Sequence, residues 1–138
     1  MLNASHPGLV AAVAMALAGC VTPTIPTDTA ANVPVTQLLE AFSSAHEGKV
    51  IVKRNRSVAG SICRDRVYLD GKPVADLWPG QKVEFTASLG EHILGVERLG
   101  ICQGQMRELG ARLWAGKTKV YLVDITTNLE YIFQETAF

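Results

Sequence analysis

The spacing of apolar residues divides the chain into unlike stretches. Residues 9–17, LVAAVAMAL, are nine apolar residues in a row. Residues 21–36, VTPTIPTDTAANVPVT, hold three prolines and five threonines and show no apolar period. Proline removes a backbone donor and favours extended chain. This stretch therefore reads as a semi-extended spacer with a reach of at most ~50 Å, at about 3.1 Å per residue. In residues 36–47, TQLLEAFSSAHE, the period is helical: Leu38, Leu39 and Phe42 share a face and Thr36 is placed to cap, so a short helix is predicted.

From residue 49 onward the period becomes two, that of a strand. KVIVKRN (49–55) is rich in β-branched residues. In QKVEFTAS, Val83, Phe85 and Ala87 fall on one face and Lys82, Glu84 and Thr86 on the other. His92, Leu94 and Val96 share a face of EHILGVERL. Residues 105–114 and 129–135 supply further strands, and KTKVYLVDI (117–125) is apolar on both faces, as a central strand is. Turn chemistry separates these runs. Asp70-Gly71 lies inside RVYLDGKPVADL, where glycine permits the positive φ of a tight hairpin turn. Pro79-Gly80, Gly90 and Ala115-Gly116 mark later reversals. About seven or eight short strands with turns roughly every 8 to 12 residues predict an all-β fold, a small sandwich of antiparallel strands.

Length and charge narrow the function classes. The 138 residues suit one domain. Thirteen basic and thirteen acidic side chains cancel, which argues against nucleic acid as the main partner. The apolar run is too short to span a bilayer, which takes about 20 residues, and Pro7-Gly8 blocks its extension backwards. It fits the apolar core of a signal peptide, with small residues Ala18 and Gly19 at the cleavage site, although its only firm positive charge is the terminal amine.

Leu17-Ala18-Gly19-Cys20 resembles the lipobox of bacterial lipoproteins. The resemblance implies that residues 1–19 are removed and that the Cys20 thiol carries a diacylglyceryl group. Residues 20–36 would then be the lipidated cysteine and its flexible tether, and residues 37–138 the periplasmic domain. Val21 after the cysteine implies outer-membrane sorting, with the domain facing the periplasm. Several acyl chains anchor a protein without a transmembrane helix.

Setting Cys20 aside leaves Cys63 and Cys102 as an even pair in an exported chain, so a disulfide between them is expected. A two-cysteine metal site lacks ligand spacing, and a reactive thiol lacks a local base, since His46 and His92 stand in no visible relation to either cysteine. No metal or other cofactor is expected.

Residues 49–66 carry six basic side chains against one acid, Asp65. Within them Lys53, Arg54 and Arg56 are candidates for contact with anionic lipid headgroups, lipopolysaccharide or an acidic protein. The competing reading is a face whose charges are balanced by acids of other strands. Asp65, Asp70 and Asp76 could pair as carboxylates, but Asp70 is explained by its turn and the other two are expected at strand ends in solvent. His92 is expected to be satisfied by a backbone partner. Trp78 and Trp114 adjoin turns, where they could stack on a sugar ring or cap the end of the core.

The strings GSIC, VYLDGKPVADL, PGQKV, GEHILGV, IC and the terminal QETAF together resemble a family of small uncharacterised bacterial lipoproteins over residues 49–138. More loosely, the layout is similar to PEGA-type surface domains, which are small β-sandwiches. These resemblances imply location, fold and the Cys63–Cys102 pairing, and no catalytic residue. The expected function is a non-enzymatic, membrane-anchored module that binds an envelope protein or a cell-wall partner. The alternative is an inhibitor or carbohydrate- or peptidoglycan-binding module acting on cell-wall material, and an enzyme ranks third.

Overall fold

A computed structural model describes residues 23–34, 37–38, 48–102, 104 and 106–137. The expected signal peptide, Cys20 and nearly all of the helix expected over residues 36–47 lie outside the described residues.

Nine strands among the described residues form two sheets. In chain order they are β1 (Ala31–Asn32), β2 (Gly48–Arg54), β3 (Asp65–Leu69), β4 (Lys72–Leu77), β5 (Gln81–Ala87), β6 (Gly90–Arg98), β7 (Arg107–Leu113), β8 (Thr118–Ile125) and β9 (Tyr131–Thr136). One sheet has the order β1-β5-β2-β8-β9 and the other β4-β3-β6-β7. The all-β sandwich read from the sequence is therefore the observed fold. The period-two faces meet in its middle: Val50, Val52, Val83, Phe85, Tyr121 and Val123 from the first sheet pack against Val67, Val74, Leu94, Val96 and Leu113 from the second. β8, apolar on both faces, has neighbours on both sides, β2 and β9.

Two pairings depart from the antiparallel expectation. β2 runs parallel to β8, and β1 runs parallel to β5. A parallel pair needs a crossover, and the chain makes the β2-to-β8 crossover by building the whole second sheet between the two strands. Hairpins give no such pairing, so local turn signals carry no trace of it.

The Asp70-Gly71 hairpin turn is as expected: φ is 49° at Asp70 and 78° at Gly71. This positive pair is the requirement of a primed two-residue turn.

The spacer reading of residues 21–36 is corrected. Residues 23–34 lie against the first sheet as a strap. Val50 and Val52 face the core, so alternation turns Lys53 and Asn55 to the outer face. There the Ile25 amide donates to Asn55 Oδ1 at 3.0 Å, and Lys53 Nζ donates to the Ile25 carbonyl at 2.8 Å. Lys82 Nζ donates to the Thr27 carbonyl at 2.8 Å. The strap then adds β1 to the sheet edge, where the Ala31 amide donates to the Gly80 carbonyl. Ile25 and Ala30 are buried by this docking. The strap turns at Thr27–Ala30, where the Thr29 and Ala30 amides donate to the Pro26 carbonyl at 3.2 Å, and only Ala31–Asn32 beyond the turn pairs with the sheet edge.

Candidate functional site

The connections leave the sandwich at two ends. Residues 55–64, 78–80, 99–102 and 126–130 lie at one, here termed the loop end. The turns 70–71, 88–89 and 114–117 lie at the other, the far end.

Beneath the loop end sits a buried ionic cluster. Asp65, the first residue of β3, is fully buried. Its carboxylate accepts from Arg54 Nε at 2.8 Å, from Arg98 Nε at 3.0 Å and Nη2 at 3.2 Å, and from the Tyr131 hydroxyl at 3.1 Å. The Arg98 guanidinium also lies over the Tyr131 ring, 4.7 Å from its centre. Burial pushes the Tyr131 phenol well above its ordinary value, and the Asp65 charge adds to this. Burial lowers the Arg54 guanidinium against the opposing pull of Asp65.

The same cluster holds the loop above it. Arg54 donates to the Leu77 carbonyl at 3.0 Å, to the Gly60 carbonyl at 2.7 Å and to the Cys63 carbonyl. Cys63 and Cys102 are disulfide-bonded with 6.0 Å between their Cα atoms, which joins this loop to residues 99–102. Gly60 has a φ of 67°, and a Cβ there would stand 2.6 Å from Arg98 Nη1. Glycine thus suits both the turn and the close approach of the arginine.

Fixed on this base, several large apolar side chains face outward. Val58 is 86% exposed, Ile62 68% and Ile101 88%. Ile62 and Ile101 each adjoin a cysteine of the disulfide, so the bond holds the two tips close together. Leu129 and Trp78 are also exposed at this end. Scattered exposed apolar residues are ordinary; here several are gathered on one pinned loop end.

The basic candidates separate sharply. Lys53 and Arg54 are 0% and 1% exposed, which corrects their assignment to an anionic surface. Lys53 holds the strap, and burial lowers its ammonium below the ordinary value while Asp28 pulls it back up. Arg54 serves the cluster. Arg56 alone of the three is exposed, its side chain lying along Gly80. The rest of the basic segment is balanced by acids of other strands, the competing reading: Lys49 meets Glu84 at 3.2 Å, and Arg66 meets Asp76 at 2.7 Å with Arg64 at 3.4 Å. Asp65 and Asp76 are corrected too. Both are buried rather than in solvent, because each is the counter-charge of two arginines.

At the far end, His92 lines a cleft of about 340 Å³ with Leu69, Asp70, Lys72, Thr86 and Ser88. Asp70, His92 and Ser88 have the outline of a hydrolytic triad. His92 Nδ1 is 2.7 Å from Asp70 Oδ2, and Nε2 is 3.3 Å from Ser88 Oγ. The bonding opposes that use. Nε2 is closer, at 2.7 Å, to the Ser88 carbonyl, which can only accept. Both ring nitrogens face acceptors, so the imidazolium fits best, and an imidazolium cannot take a proton from serine. Burial would lower the His92 pKa, but the bonds to Asp70 and the Ser88 carbonyl prevail and raise it. The expected backbone partner of His92 is present; Asp70 is an additional one that strand alternation could not reveal.

Trp78 and Trp114 are 37% and 52% exposed, more open than caps on a core. They stand at opposite ends of the sandwich, with the Arg112 guanidinium over the Trp114 ring at 4.8 Å. Among the described residues no group of three or more metal-ligating side chains converges, and no helix is long and apolar enough to cross a membrane. Comparison of the chain with known protein families, curated proteins and solved structures finds no match.

Proposed function

We propose that this protein is a non-enzymatic binding module of the bacterial envelope. Cys20 carries its lipid anchor, the outer membrane holds it, and the domain faces the periplasm. The lipobox-like Leu17-Ala18-Gly19-Cys20 supports the anchor, and the Cys63–Cys102 disulfide suits an exported domain. The observation that carries the binding reading is the exposure of Val58, Ile62 and Ile101 on loops pinned by a disulfide and a buried ion cluster. A surface already ordered before contact loses little conformational entropy on binding. The polar groups that could do chemistry, Asp65 and His92 above all, are engaged in structural bonds.

The test is in-cell crosslinking of the full chain followed by mass spectrometry, comparing wild type with Val58→Ser, Ile62→Ser and Ile101→Ser combined. Wild type is expected to give adducts that the triple variant loses. An identical set of adducts from both would refute the loop end as the binding face. For the anchor, Cys20→Ser is expected to abolish fatty-acid labelling and membrane retention; normal labelling would overturn it.

A second reading, a module acting on cell-wall glycan, is favoured by the 52% exposure of Trp114 at the far end. It requires that Trp114→Ala weaken co-sedimentation with peptidoglycan.

A further inference from the structure

We infer that the partner of the loop end is the phospholipid bilayer itself: the domain stands loop end down, with Val58, Ile62 and Ile101 in the headgroup region and the far end pointing away. This rests on the loop end being the binding face and names what that face meets.

The docked strap carries the inference. A free spacer from Cys20 to the first strand would let the domain adopt any orientation at the membrane. Instead the chain is bonded to the sheet from Ile25, through the Asn55 and Lys53 side chains. Pro23 and Thr24 line a cleft with Asn55 and Arg56, which begin the longest loop of the loop end. Five residue steps separate Cys20 from Ile25, the first residue bonded to the sheet, a reach of at most roughly 18 Å. The seven residues of β2 span roughly 23 Å at about 3.3 Å each. An acylated Cys20 can therefore hold the loop end at the bilayer and cannot hold the far end there.

The chemistry of that end agrees. Aliphatic side chains at the tips, a tryptophan at the rim and exposed arginines beside them make up an interfacial surface. Here these are Val58, Ile62 and Ile101, then Trp78, then Arg56 and Arg64. Asp28 and Glu130 are exposed at the same end, so charge contributes less than apolar contact. A protein partner on this face would have to displace the bilayer that the short tether brings against it.

The two tryptophans, the only ones in the chain, serve as depth markers. The full chain is purified from membranes and reconstituted into phosphatidylethanolamine/phosphatidylglycerol vesicles whose acyl chains are brominated near the headgroup. Trp114→Phe leaves Trp78 as the reporter, and Trp78→Phe leaves Trp114. Brominated lipid is expected to lower Trp78 emission by about twofold and to leave Trp114 unchanged, because side chains of an interfacial surface enter only ~5–10 Å. Adding Val58→Ser, Ile62→Ser and Ile101→Ser to the Trp78 reporter is expected to reduce the quenching; these exposed positions bear little on folding. Equal quenching of both tryptophans, or of Trp114 alone, overturns the orientation. Should neither be quenched while in-cell adducts still depend on the loop end, the bilayer is wrong and the binding face stands. Should the adducts be independent of it as well, both fall.

Discussion

The Asp65 cluster gives a prediction whose size can be worked from the structure. Asp65→Asn keeps the shape of the side chain and removes its charge. Two guanidinium groups, Arg54 at 1% and Arg98 at 8% exposure, then lie close together with no counter-charge between them. Arg54 keeps its three carbonyl partners, and these cannot neutralise it. Breaking a buried pair by removing one partner costs about 3–5 kcal/mol. Domains of this size are stable by only about 5–15 kcal/mol in total. The expected loss is therefore a large share of the stability and a fall in Tm of roughly 10–20 °C. Urea unfolding followed by tryptophan fluorescence, with the disulfide intact, reads the change as a lower midpoint at constant m-value. Adding Arg98→Met should recover part of the loss, since it removes one of the two stranded cations. A loss below about 1 kcal/mol with no recovery on adding Arg98→Met would refute the cluster as a mutually dependent unit.

Other expectations follow from single contacts. Replacing Cys63 and Cys102 by alanine opens a closure with a sequence separation of 39 and should cost up to about 4 kcal/mol on the chain-entropy estimate, read in the same urea assay. Tyr121→Phe should be neutral or stabilising by up to about 1 kcal/mol, because the buried hydroxyl has no hydrogen-bond partner among the described residues and burial has pushed its pKa up to about 12; clear destabilisation would contradict this. Asn55→Ala should loosen the strap, shown by faster proteolysis within residues 23–34, since Asn55 is buried and joins Ile25 to Asp124. The His92–Asp70 bond should be strongest between about pH 4 and pH 6.5. His92, with a raised folded pKa, contributes fully below its unfolded value and loses that contribution as pH rises through the folded one. Asp70, with a lowered pKa, contributes above its unfolded value and loses that as pH falls through the folded one. Because Asp70 is half exposed, the effect should stay below about 1 kcal/mol, and His92→Gln should flatten the alkaline side of a stability–pH curve.

The sandwich was legible in the sequence because its signals are local. Alternation placed Val83, Phe85 and Ala87 inward, and Asp70-Gly71 announced its turn. The β2–β8 pairing was not legible, since the two strands are brought together by everything folded between them. The buried charges escaped for a related reason. A run of basic residues looks like a solvated face until the fold places acids against it: Asp65, inside the run but on another strand, meets Arg54, and Asp76 of β4 meets Arg64 and Arg66. A faint signal was present at Arg54, which continues the face of Val50 and Val52. The strap was hidden by composition, because the prolines that favour extended chain are equally compatible with a free spacer and with a docked edge. The loop end was visible only as scattered apolar residues in turns; the disulfide and the Arg54 bonds bring them to one place.

The claim that the loop end is the working surface is tested most directly by a photoreactive residue placed at Ile101 or at Trp114 in the full chain and activated in living cells. Both positions are exposed, at 88% and 52%, and they stand at opposite ends of the sandwich. Strong adducts are expected from position 101, membrane lipid foremost, and few from position 114. Adducts from position 114 with none from position 101 would contradict the claim.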